Sequence, residues 1–265
     1  MNLKCKWLAI AGCWLGAACD HPVIGLSPGH GIVASNHMTS EKSVAEIKLP
    51  KGFQRIHAPA KSFHAYLKTI ELKDDRTVYL YNGRQKQNQS AQYVVLNISV
   101  GKKDLQQCAD AVMRIRAEYF YKEGRFQSIE FFNGRKERIN YANWLAEKQN
   151  SREAFMKYME YVFSYCGTAS LPYSVKRKPI LEMRPGDILL KPGSPGHTVI
   201  VIDMAQNERG KKIYLMAQSY MPAQDIHVLN NPMNVTLSPW YELNDDEVID
   251  TPEWRFYSSQ LYGWK

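Results

Sequence analysis

The chain has 265 residues, 45% hydrophobic, 23% charged and 12% aromatic, with 16 Gly and 13 Pro. That balance is one of an ordinary globular protein and excludes fibrous and intrinsically disordered classes. The formal net charge of +8 is scattered over groups such as Lys176-Arg177-Lys178 and Lys211-Lys212, which argues against nucleic acid as a partner and suits anionic cell-envelope surfaces.

The amino terminus reads as a sorting signal. Lys4 and Lys6 precede the apolar run Trp7 to Ala18, which is too short to span a bilayer as a helix. Gly16-Ala17-Ala18-Cys19 then resembles a bacterial lipoprotein box, which implies that Cys19 is acylated and becomes a lipid anchor. Ile10-Ala11-Gly12-Cys13 is the alternative acylation site. The expected organisation is a signal peptide over 1–18, a polar tether over 19–50 and a single α+β domain over 51–265. Cys108 and Cys166 are the two cysteines of the body, enough for one disulfide and too few for a CxxC metal pair, so neither metal nor cofactor is expected.

Within the body, Phe63, Tyr66, Leu67 and Ile70 recur at helical spacing and predict a helix over Ala60–Leu72. Val78–Tyr81 and Gln92–Ser99 are rich in β-branched and aromatic residues between turn signals and predict strands. A helix follows over Leu105–Lys122, then a hairpin over Ser128–Phe132 and Arg138–Tyr141, a short helix over Tyr141–Glu147, and a helix capped by Ser151 that runs to Gly167. After Pro179, the segments Asp187–Leu190, His197–Met204, Lys212–Ser219 and Asp225–Leu229 predict a β-meander, with Trp254–Tyr257 as a last strand. Helices first and a mostly antiparallel sheet after residue 180 is an α+β pattern.

Arg184-Pro185-Gly186-Asp187 leading into Ile188-Leu189-Leu190, then Gly196-His197 opening Thr198 to Asp203, resembles the two core strands of NlpC-type cysteine peptidases. The likeness spans Gly167 to Ser219. It implies a papain-like fold, a thiol at a helix start facing His197, a third polar residue on the next strand, and amide-bond hydrolysis on a cell-wall peptide such as those of peptidoglycan. Gln107 to Arg114 and Ala217 to Gln224 also resemble an uncharacterised family of bacterial envelope proteins, which brings no activity with it.

The residues can be read without that likeness. If His197–Met204 and Lys211–Gln218 form a hairpin in which Met204 pairs with Lys211, then Val199 pairs with Met216 and His197 faces Gln218 across Ala205–Gly210. Gln218 would then orient the imidazole. Cys108 is the candidate thiol. Asp104, with Gln107 three residues on, would cap its helix and leave Cys108 in the first turn, where the dipole favours the thiolate. Cys108 also lies on an apolar stripe with Leu105, Val112 and Ile115, so a buried core cysteine is the competing reading. In the NlpC-type pattern the thiol helix runs into a Leu-Pro step. Counting back from Leu171-Pro172 lands near Met156, so either Cys108 serves from an earlier helix across an insertion, or the protein binds without cutting. His227 reads as a surface or packed residue, the aromatic tail from Trp240 to Trp264 as core packing or a sugar cleft, and Asp245-Asp246-Glu247 as a solvated loop.

Overall fold

The computed structural model describes residues 38–146 and 148–265. The signal with Lys4 and Lys6, the candidate anchors Cys13 and Cys19, and the start of the expected tether lie outside the described residues. In chain order the elements are β1 (Phe53–Arg55), α1 (Phe63–Lys68), β2 (Gln92–Val95), α2 (Cys108–Lys122), the hairpin β3 (Glu130–Phe132) and β4 (Arg138–Asn140), α3 (Tyr141–Leu145) and α4 (Arg152–Tyr165). There follow β5 (Val175–Arg177), β6 (Ile188–Lys191), β7 (His197–Asn207), β8 (Lys212–Gln218), β9 (His227–Leu229), β10 (Tyr241–Leu243), β11 (Val248–Asp250), β12 (Arg255–Tyr257) and β13 (Leu261–Trp264).

The helices start where the sequence supplies acceptors for their free N–H groups. The Ser62 hydroxyl accepts from Ala65 N at 3.0 Å and the Ser151 hydroxyl from Ala154 N at 3.1 Å. Helix α1 is shorter than its apolar spacing suggests because Leu72 leaves it to bridge Leu96. The expected strand over Val78–Tyr81 is reduced to isolated bridges, Tyr79 with Gln85 and Leu80 with Gln224.

Strands β6, β7, β8 and β9 are successive neighbours in one sheet, with order β2-β9-β8-β7-β6-β13-β5, while β1 adds to β7 and β10 to β8. Every described pairing is antiparallel. The fold is therefore α+β with a mostly antiparallel sheet. It is not helices first: β1 and β2 come before α2 and both join the main sheet.

Strand β7 is buried on both faces from His197 to Ala205. Ile200 and Ile202 face one core with Val112, Ile115 and Leu67, and Val199 and Val201 face a second with Met183, Leu229 and Phe256. Helix α2 packs on β7 and β8, whereas α4 packs on α2 and α3. The hairpin β3–β4, α3 and α4 thus form an insertion between α2 and the sheet strands. Val44 and Ile47, placed in the tether by sequence, are fully buried in the first core. Arg55 holds them there by donating to both of their carbonyls and to Asp203 Oδ2 at 2.7 Å.

The β7–β8 register corrects the expected one. Met204 pairs with Tyr214 and Val201 with Met216, with an irregularity between Val201 and Asp203. The strands run further than their apolar alternation suggests, because β1 pairs along Arg55–Ala205 and makes the end of β7 an interior position. The loop consequently shrinks from Ala205–Gly210 to the turn after Asn207. His197 and Gln218 are diagonal neighbours instead of opposed ones. The offset is even, so both side chains still share a face.

Candidate functional site

At one end of the sheet, β7 opens with His197, β8 closes with Gln218 and β9 opens with His227. Gln218 and His227 are directly paired. His197 Nε2 lies 2.8 Å from Gln218 Oε1, and all three residues are at most 1% exposed. The turn before His197 is fixed by close approach. A Cβ on Gly196 would fall on the Gly193 carbonyl oxygen and the Thr168 hydroxyl, which itself donates to Gly193 O at 2.9 Å. The Pro-Gly-Asp turn into β6 has a similar logic: Gly186 takes φ +95° against Phe63, and Asp187 Oδ2 accepts from Arg184 N at 2.8 Å and Lys178 Nζ at 2.6 Å.

Cys108 is the first residue of α2. Its capping differs from the expected pattern: Asp110 Oδ2 accepts from Gln107 N at 3.1 Å. Asp104 does not cap; its Oδ1 accepts from the Gln107 side chain at 3.1 Å and from Ala223 N at 2.7 Å. The Ser219 hydroxyl adds a bond to Gln106 O at 3.1 Å, so the start of α2 is stitched to the segment that follows β8.

The main chain at Ala109, at Thr198, the residue after His197, and at Cys108 itself lies near enough to the Cys108 sulfur to favour its thiolate. No hydrogen bond joins the thiol to the imidazole. Tyr220 is near both groups. Its ring centroid is 4.7 Å from that of His197, and the Cys108 sulfur lies close enough to raise the Tyr220 pKa, behind burial and Glu253. Trp254 and Phe256 flank the imidazole at 5.1 and 5.8 Å.

The electrostatics reverse the expectation drawn from a helix start. Burial, then the Asp110 carboxyl, pushes the Cys108 thiol up to about 11. At 5% exposure, desolvation outweighs the dipole and the N–H donors. Burial lowers His197 to about 4 and His227 to about 3, so thiol and imidazoles are all uncharged at neutral pH. The Asp110 carboxyl is itself raised well above its usual range by burial. Cys166, at the far end of α4, is pushed up to about 12, again first by burial, and both body cysteines are free thiols.

A second tier of residues had no signal in the sequence. Glu253 Oε2 accepts from Gln218 Nε2 at 2.8 Å and Lys86 Nζ at 2.6 Å, and Glu253 Oε1 from Asn88 Nδ2 at 3.2 Å. Lys86 is 8% exposed and lies far from any motif. His227, read from sequence as a surface or packed residue, belongs to this network; pairing β8 with β9 across the 219–226 turn would have revealed it. Of the aromatic tail, Trp240, Tyr241, Phe256 and Tyr262 are buried, and Trp254 reaches the site. Asp245, Asp246 and Glu247 are exposed. Among the described residues no group of three or more His, Cys, Asp or Glu side chains is arranged to hold a metal ion.

Comparison with known proteins gives a family without an activity: the family model described as Domain of unknown function (4846) matches residues 44–262. No curated protein and no solved structure matches the chain.

Proposed function

The chain belongs to the family of that description, and on the geometry of the site we propose that it is a thiol hydrolase of the cell envelope, acting on amide bonds such as those of cell-wall peptides. The nucleophile is Cys108, the base His197 and the orienting group Gln218. The observation that carries this reading is the 2.8 Å His197–Gln218 contact on the two strands against which α2 packs, the helix whose first residue is Cys108 and whose start is tied to Ser219. The papain-like, NlpC-related arrangement is part of the same reading. Cys108 is favoured over the Met156 position by the packing of α2 on β7 and β8.

In this mechanism, the Cys108 sulfur attacks the substrate carbonyl carbon as its proton passes to His197 Nδ1. The main-chain N–H groups of Cys108 and Ala109, which have no acceptor within α2 at its first turn, stabilise the oxyanion. His197 returns the proton to the leaving amine as the C–N bond breaks. Water, losing a proton to the same nitrogen, then hydrolyses the thioester. Because both groups are neutral when buried, the thiol reacts by proton transfer within the encounter and not as a preformed ion pair. Tyr220 and Trp254, half-buried over the ring, are the side chains a substrate displaces.

A second reading has its own support. A thiol at 5% exposure with a raised pKa suits a core cysteine, and with it an envelope lipoprotein that binds peptides without cutting them. Alkylation of the native protein followed by peptide mapping separates the two. Modification of Cys108 in the folded state, slowed in His197→Ala, supports the hydrolase. Modification of Cys108 only after unfolding leaves the binding protein.

A further inference from the structure

The hydrogen positions at the site follow from two groups that can only accept. The Asp225 carbonyl lies 2.9 Å from His227 Nδ1, so that nitrogen carries the ring proton. Burial keeps His227 neutral, so its Nε2 is a lone pair, 3.5 Å from Gln218 Nε2. The Glu253 carboxylate, ion-paired to Lys86 at 2.6 Å, faces the same amide nitrogen at 2.8 Å. Both hydrogens of the Gln218 amide therefore have acceptors. Turning the amide over would set its oxygen against a carboxylate oxygen on one side and an imidazole lone pair on the other. The oxygen is thus held on His197 Nε2, which must carry the hydrogen, and His197 Nδ1 is left as the unprotonated nitrogen.

We propose that Glu253 and His227 are positioning residues: by taking both hydrogens of the Gln218 amide they fix its orientation and, through it, keep the His197 proton on Nε2 and Nδ1 free as the base. The purpose given to this arrangement rests on the thiol-hydrolase reading, while the proton placement does not. A flipped amide would donate to His197 Nε2, move the ring proton to Nδ1 and remove the base from the nitrogen that the mechanism uses. Lys86 acts one step further out by holding the Glu253 side chain in place.

The test is nitrogen-15 NMR of the histidine rings in the full chain, solubilised in detergent. In the wild type, His197 should show a pyrrole-type Nε2 and a pyridine-type Nδ1, and His227 the reverse. Glu253→Ala should shift the two His197 nitrogens toward the average of both tautomers, and Glu253→Gln, whose side-chain oxygen still accepts, should restore the wild-type pattern. A wild-type His197 protonated on Nδ1, a wild-type His227 protonated on Nε2, or a Glu253→Ala spectrum identical to wild type overturns the proposal. Should Glu253→Ala fail to fold, the two wild-type assignments and Glu253→Gln decide it. Alkylation of Cys108 in the same samples keeps the readings apart. Correct tautomers with an inert thiol sink the hydrolase and leave the positioning intact, and a reactive thiol with the opposite tautomers does the converse.

Discussion

His197 and His227 enter the folded protein uncharged because each loses its hydration and gains only neutral partners on its own ring. Their folded pKa values, about 4 and about 3, lie below the usual 6.5. The sign of the consequence follows directly: below 6.5 the unfolded chain takes up protons that the folded chain refuses, so this part of the stability is complete above 6.5 and is lost as pH falls toward 4. Each histidine contributes a slope of about 1.4 kcal/mol per pH unit over that window. Buried carboxyls with raised pKa values, Asp110 and Asp187, act in the opposite direction, so the comparison must be with a variant that keeps them. His227→Leu should unfold with a pH slope about 1.4 kcal/mol per unit shallower than wild type between about pH 6 and about pH 4.5, as read from urea titrations at several pH values. Equal slopes would mean that His227 is protonated in the fold, and the amide orientation argued from it would be lost.

At the scale of elements, the placement of His197 depends on the turn from β6 to β7, where the chain passes itself with no room for a side chain at Gly196. A methyl group there meets two main-chain oxygens, at Gly193 and Lys191, and neither is the flexible end of a side chain. Gly196→Ala should cost about 1–3 kcal/mol, the range for overpacking a rigid site. It should also move the His197 ring resonances more than those of His227, because His227 is held on β9 and is not reached by this turn. A variant with wild-type stability and unmoved His197 signals would show that the turn does not set the histidine. Such elements differ in how far the sequence announces them. Ser151 as a cap, the Asn133-Gly134 turn and the four meander strands follow local rules, and all are present. The β7–β8 register does not, because it is set by β1 pairing from far away in sequence. The site divides the same way. His197 and Gln218 sit on adjacent strands and were legible from alternation, whereas Lys86 and Glu253 lie in connecting segments 167 residues apart and meet only in the finished fold. The raised thiol pKa was illegible for a related reason, since a helix start is a local feature and desolvation is not.

For the whole molecule, the proposed place at the cell envelope needs something to hold the body at a surface. Among the described residues no helix is long and apolar enough to cross a membrane. The expected attachment is the lipid on Cys19, with the net charge of +6 that remains once Lys4 and Lys6 leave with the signal as a second, weaker contact to anionic surfaces. The two can be separated, because electrostatic attachment is screened by salt and burial of acyl chains is not. At about 1 M salt the Debye length shrinks to about 3 Å and the charge contribution largely disappears. Expressed from its full gene in a bacterium and washed at that salt, the wild-type protein should sediment with membranes, and Cys19→Ser should move to the soluble fraction. Release by Cys13→Ser with retention of Cys19→Ser would put the acyl group on the other cysteine. Retention of both single variants at high salt would remove lipid as the anchor and leave the signal segment itself, or a membrane partner, to hold the protein in place.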